Sequence, residues 1–411
     1  MRTIKINRKL CFAALFVGFV FFLVLRNTFK SYDQQILVQH TATGNIVSHS
    51  SSFKHAGTEQ SLGQSKPRFQ ANKVQIVAVV LVIACNRPEV KRCLDSLLKY
   101  RPSEEKFPIV VSQDCGHQET AQVIASYGKI VHFIKHPDLT DINGVAENLK
   151  GYYKLSRHYS WALSQVFDVM DFDTVIIIED DLEVSPDFFE YFEATKPLLE
   201  EDPSLWCVSA WNDNGKTGYV RGNDLLYRSD FFPGLGWMLE RTIWHELAPK
   251  WPAAFWDDWM RHPDQRRERA CIRPEIPRVE TFGKTGVSKG QFFDEHLRHI
   301  KRNSEFYPFT KRNLTFLLKD EYDPKFINIV YKSPLVSFEY FNSGQGMPAP
   351  SVRIQYDTEQ SFVALANQLG VMSDLKAGVP RMAYRGVVSF MNKGFRIYLA
   401  PPRNWKGYEF H

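Results

Sequence analysis

Three consecutive carboxylates, Glu179-Asp180-Asp181, close the apolar run Thr174-Val175-Ile176-Ile177-Ile178. Such a run, rich in β-branched residues, reads as a strand buried on both faces. Three acids cannot remain in that core uncompensated, so the strand must open onto solvent or a ligand there. Hard oxygen donors of this kind suit Mg²⁺ or Mn²⁺. A solvated strand end capping the next helix is the plainer alternative, since Pro186-Asp187 follows closely. Arg87 and Asp114 each stand just after another apolar run. Arginine and acids around a divalent ion are the kit for a nucleotide diphosphate. A second constellation sets acids among aromatics, Phe231 to Trp237 and then Phe255-Trp256-Asp257-Asp258-Trp259-Met260-Arg261. Rings that pack on sugar C–H faces and carboxylates that bind hydroxyls suit a carbohydrate. Either Asp257 or Asp258 could instead cap a helix. His158 reads by itself as a satisfied helix histidine. Lys284 to Gln291 (KTGVSKGQ) has the small residues of a mobile flap, or of an ordinary surface loop.

These residues need a scaffold that brings strand ends together. Apolar runs predict strands over 75–84, 107–112, 130–134, 174–178 and 205–210, alternating with helices over 88–100, 120–127, 152–169 and 187–199. That alternation is the signature of an α/β fold with a mainly parallel sheet flanked by helices. Ligands in such sheets bind beyond the carboxyl ends of the strands. Arg87, Asp114 and Asp180-Asp181 therefore meet in one crevice if their strands adjoin. Neither a Walker A nor a GxGxxG pattern is present, which weighs against kinase and dehydrogenase readings. From Tyr322 to His411 a smaller α+β domain is expected, with strands over 334–340 and 351–356, a helix over 361–369, and a hairpin of 386–392 with 395–400 turning at Met391-Asn392-Lys393-Gly394.

A chain of 411 residues with a net charge of +5 is globular and carries too little charge for a nucleic-acid binder. Leu10 to Leu25 is the one membrane-grade segment of the sequence, preceded by Arg2, Lys5, Arg8 and Lys9. Its flanks predict a single-pass anchor with residues 1–9 cytoplasmic and the body luminal. Residues 26–73 read as a flexible, polar stem. Six cysteines include Cys11 in the anchor. Cys85 and Cys115 each follow an apolar strand, so both lie at one sheet edge if those strands are neighbours. Cys207 and Cys271 are then left to each other, with Cys93 as a buried thiol on a helix face. Asn313-Leu314-Thr315 is a glycosylation sequon.

Several blocks together resemble the N-acetylglucosaminyltransferase I family of animals. They are Leu81 to Arg87, Val111 to His117, Glu179-Asp180-Asp181-Leu182-Glu183, Ser209-Ala210-Trp211-Asn212-Asp213-Asn214-Gly215, Phe231 to Trp237 and Phe255 to Arg261. The resemblance runs from about Val74 to Tyr408. It departs at Asn86, where animal relatives typically carry Asp, and the Asn313 sequon lies outside the family pattern. It implies a GT-A nucleotide-sugar fold at 74–283, a flap and linker at 284–321 and a C-terminal domain at 322–411. It also implies a single-pass type II protein of the Golgi membrane, Mn²⁺ as cofactor and UDP-N-acetylglucosamine as donor. The acceptor is an oligomannose N-glycan on glycoproteins. By motif, Asp181 is the metal ligand and Asp257 the general base. Arg87, Asp114, His158, Glu179, Asp180 and Ser288 are donor contacts, and the disulfides are Cys85–Cys115 and Cys207–Cys271. An α-linked donor and a β1,2-linked product imply one displacement with inversion, which needs a single base. Two alternatives use the same fold: an O-mannose β1,2-N-acetylglucosaminyltransferase, and a non-catalytic membrane lectin.

Overall fold

The computed structural model describes residues 76–284, 286–287, 289–290 and 293–408. All of these fall in one of two compact units, Pro67–His411. The expected anchor, the stem and Ser288 lie outside the described residues.

Chain order gives β1 (Val79–Ala84), β2 (Ile109–Gln113), β3 (His132–Lys135), β4 (Thr174–Glu179) and β5 (Leu182–Val184). Then come β6 (Leu205–Ser209), β7 (Leu226–Ser229), β8 (Trp237–Glu240), β9 (Ala270–Pro274) and β10 (Val279–Thr281). The central sheet runs β3-β2-β1-β4-β8-β6-β9-β7. Its first four strands are mutually parallel, β6 and β9 are parallel, and β7 and β8 enter antiparallel. A mixed, mainly parallel sheet results.

β1 explains why helices cover both faces. Val80, Val82 and Ala84 enter one core with Val90, Cys93, Leu94 and Leu97 of the helix Val90–Tyr100 and with Phe188, Phe189 and Phe192 of the helix Phe188–Glu201. Val79, Leu81 and Ile83 enter the other with Tyr159, Ala162 and Leu163 of the helix Glu147–Ser164. Alternation sends successive side chains to opposite faces, and because both are apolar the strand reads as one unbroken run. The helix Glu147–Ser164 begins about a turn earlier than its apolar pattern predicts and continues as a π-turn over Gln165–Val169.

Register then fixes the site. Ile83 pairs with Glu179 and Ala84 with Gln113. The ladder extends one bond further on each side, Asp114 N–H to Ala84 O at 2.9 Å and Asp180 N–H to Ile83 O at 3.0 Å. Cys85, Asp114 and Asp180 therefore leave the sheet side by side. Disulfides Cys85–Cys115 and Cys207–Cys271 are both formed, with Cα separations of 5.3 and 4.6 Å, and Cys93 is a free buried thiol.

Near the carboxyl end, β11 (Ser351–Gln355), β14 (Val388–Asn392) and β15 (Phe395–Ala400) form a second sheet in the order β11-β15-β14. β12 (Leu375–Lys376) and β13 (Val379–Pro380) make a separate hairpin. Val352, Phe362, Phe390 and Ile397 form a core of their own here, whereas Tyr322, Phe326, Tyr384 and Tyr398 join the first core. The turn after β14 needs two left-handed residues, and Lys393 (φ 49°) and Gly394 (φ 86°) supply them. Residues 334–340 correct the expected strand. Leu335 makes a single bridge to Arg353, and then Ser337 caps a helix, Phe338–Asn342, by accepting from the Tyr340 N–H. The local capping bond outcompeted the β-prone composition.

Candidate active site

The acidic triplet spans the end of β4. Asp180 is buried at 9% exposure, and its carboxylate accepts from the Cys85 N–H at 3.2 Å. Arg87 bridges the pair, Nε at 3.1 Å from Asp180 Oδ1 and Nη2 at 3.6 Å from Asp181 Oδ2. Glu179 is held by the Tyr159 hydroxyl at 2.7 Å, and Tyr159 stacks on Trp256 at 4.3 Å. Burial pushes Asp180 up to about 7, with the Asp181 charge adding to it and Arg87 opposing. Burial likewise raises Glu179 and Asp181. One guanidinium does not offset three crowded carboxylates, so the crevice favours further positive charge.

Among the described residues, no group of three or more His, Cys, Asp or Glu side chains is arranged as a ready cage. Mg²⁺-like ions are commonly held by one or two carboxylates with substrate phosphates completing the shell. Asp181, at the mouth and steadied by Thr281, fits that mode. So does the backbone: a Cβ on Gly283 would lie 1.9 Å from Asp181 Oδ2 and 2.7 Å from Arg87 Nη1. Only glycine lets this segment pass so close to the acid.

Beside the triplet, Asp114 lies buried with Oδ1 3.2 Å from His136 Nδ1. Gln113 ties the loops together, its amide donating to Cys85 O at 3.1 Å and His117 O at 2.8 Å. His158 is 1% exposed, 2.8 Å from Ser112 Oγ and against His136. Burial pushes it down to about 4, so it is neutral and packed. It supports Asp114's surroundings through His136 and Ser112.

The aromatic-acidic segment forms the helix Trp256–Arg261. It starts from Phe255 in the left-handed region (φ 53°), an uncommon conformation for a bulky residue, and Phe255 stacks on Tyr152 at 4.5 Å. Neither Asp257 nor Asp258 caps this helix; no side chain does. Both instead accept from Arg261 Nη1, at 3.0 and 2.8 Å. Asp257 keeps 48% of its side chain exposed, and its charge acts on both Glu179 and Tyr159. It therefore shares the triplet's crevice. Val287 of the flap rests 3.1 Å from where a Cβ on Gly151 would stand, joining the flap to the helix Glu147–Ser164.

A model of the GNT-I family matches residues 33–411. The chain belongs to the GNT-I family. An α-1,3-mannosyl-glycoprotein 2-β-N-acetylglucosaminyltransferase of Arabidopsis thaliana is 40% identical over 333 residues, covering 79% of this chain and 74% of that protein. Two solved structures are far more distant. A mannosyltransferase from Pyrobaculum calidifontis in complex with GDP-Man and Mn²⁺ shares 14% identity over 48% of this chain and 57% of that one, with a TM-score of 0.32. S. aureus TarS 1–349 in complex with UDP-GlcNAc shares 11% over 59% and 63%, also at 0.32. Likenesses this low carry no weight beside the family match.

Within this GNT-I family member the structure gathers Arg87, Asp114, Glu179, Asp180, Asp181 and Asp257 around the crevice, with His158 packed behind it. Sequence reasoning missed Tyr159, His136, Ser112, Thr281 and Gly283. Tyr159 directly follows His158, and its helical spacing to Tyr152 could have flagged it; nothing local signals Gly283.

Proposed function

We propose that the protein is a glycosyltransferase that moves N-acetylglucosamine from UDP-GlcNAc, in β1,2 linkage, onto the α1,3-arm mannose of an oligomannose N-glycan. Family membership carries the reaction class, and one observation carries the chemistry: Asp257 stands exposed in the crevice that the Glu179-Asp180-Asp181 mouth defines. Asp257 accepts the proton of the mannose 2-hydroxyl as that oxygen attacks. An inverting single displacement needs no second carboxyl acting as an acid, because uridine diphosphate leaves as an anion. Arg87 stands ready for the diphosphate, Asp114 for the uracil end, and Glu179, fixed by Tyr159, for the sugar. Asp181 would hold Mn²⁺, which when bound supplies positive charge to the departing diphosphate. The flap, with Ser288 as a donor contact, keeps water from the anomeric carbon. A GT-A architecture, a luminal position in the Golgi membrane and the anchor at 10–25 belong to the same reading.

The acceptor is tested by incubating the protein with UDP-GlcNAc and Mn²⁺ and offering oligomannose and O-mannosyl glycans side by side. β1,2 transfer confined to the oligomannose α1,3 arm is expected. Preference for O-mannose would replace the acceptor assignment, and binding without transfer would favour a lectin.

A further inference from the structure

Nothing yet assigned explains the hairpin of β12 and β13. Lys376 pairs with Val379 across a turn of only Ala377 and Gly378, both left-handed at φ 47° and 74°. Alanine in that region carries strain, so its surroundings must enforce the turn. What enforces it lies against the helix of Asp257. Val379 and Met382 pack with Phe231 in a small cluster of their own. Arg261 and Arg381 each place a guanidinium 4.9 Å from the Phe231 ring. Arg381 is bound by Asp374 at 2.7 Å and Asp213 at 3.3 Å, and Lys376 Nζ reaches Asp258 Oδ2 at 3.0 Å.

The ion pairs form a continuous chain, Asp257–Arg261–Asp258–Lys376, flanked by Asp213–Arg381–Asp374. Within the first chain two carboxylates face two cations, so what differs between Asp257 and Asp258 is how firmly each is held. Asp258 accepts from two cations, whereas Asp257 shares a single Arg261 nitrogen and is the more exposed of the two, at 48% against 38% of the side chain. Lys376 matters because it neutralises Asp258. Without it, Asp258 would rely on Arg261 alone and pull the guanidinium off Asp257, whose carboxylate would lose that anchor and its aim.

We propose that Lys376 is a positioning residue for the base: the Leu375–Pro380 hairpin holds Asp258, which sets how Arg261 is shared and so where Asp257 points. The inference rests on the reading of Asp257 as general base. It gives the carboxyl-terminal region a part in the chemistry.

The test compares Lys376→Met, Lys376→Arg and Asp257→Asn in the full chain, measuring kcat, the KM for UDP-GlcNAc and the affinity for UDP with Mn²⁺. Lys376→Met should lower kcat about tenfold, between the effect of a surface pair and that of a 1 Å misplacement. The donor KM and UDP affinity should stay within about twofold, because Lys376 touches neither, and Lys376→Arg should restore most of the rate. Unchanged kcat in Lys376→Met overturns the proposal. A parallel loss of UDP affinity does too, since the hairpin would then be a general wall. If Asp257→Asn keeps full turnover, the base reading itself has failed, a result read independently of Lys376.

Discussion

Gly283→Ala is the sharpest perturbation available in the crevice. The glycine is not in the left-handed region, so an alanine there incurs no backbone strain, and the effect is purely steric. Its Cβ would stand 1.9 Å from Asp181 Oδ2, 2.7 Å from Asp181 Cγ and 2.7 Å from Arg87 Nη1. The separation to Oδ2 is about 1 Å short of the closest tolerable contact, so either the carboxylate or the backbone at 283 must give by that much. A misplacement of about 1 Å can cost about 10²-fold in rate, near 2.7 kcal/mol. Gly283→Ala should therefore lower kcat/KM about 100-fold and weaken Mn²⁺-dependent UDP binding. Stability should fall by about 1–3 kcal/mol, because the crowding outweighs what alanine gains by restricting the unfolded chain. Gly286→Ala is the control: its nearest atom, Arg87 Nη2, would be 4.0 Å from the new methyl, so activity should be retained. Transfer rates with calorimetry of UDP in the presence of Mn²⁺ read both. Wild-type affinity and turnover in Gly283→Ala would refute the placement of Asp181 against the Gly283 backbone.

Three further outcomes are expected. Burial holds His158 down at about 4, below its unfolded value near 6.5, so its contribution is present above pH 6.5 and lost as pH falls toward 4. That loss amounts to at most about 3 kcal/mol, and urea unfolding at pH 7 and pH 4.5 should show a smaller acid-side loss in His158→Gln than in wild type. The Cys207–Cys271 bridge closes a 64-residue loop, so replacing both cysteines with alanine should cost about 4 kcal/mol of unfolding free energy in the chain-entropy account. Asn313 is exposed, with its side-chain oxygen accepting from the Thr315 N–H at 2.9 Å, so protein recovered from a secretory host should lose mass on glycosidase treatment, and Asn313→Gln should not.

The sequence was most legible where chemistry coincides with a strand end. β1, β2 and β4 are buried runs, so their ends, and with them Arg87, Asp114 and Asp180, fall in one crevice on the sequence pattern alone. Partners contributed by distant parts of the chain were not legible. Tyr159 reaches Glu179 from 20 residues away and Lys376 reaches Asp258 from 118, and no local pattern encodes either bond. The same holds for Arg261, whose shared nitrogen removes Asp257 and Asp258 from the capping role that their position permits. Residues 334–340 misled because strand propensity mostly reports packing on a sheet, and here a serine cap acts first.

The most direct test of the central claim is single-turnover transfer by Asp257→Asn, measured beside its affinity for UDP and Mn²⁺. A base at this position predicts a rate lower by about 10²- to 10⁴-fold with nucleotide binding intact. Transfer at the wild-type rate would contradict the mechanism, whatever the nucleotide affinity.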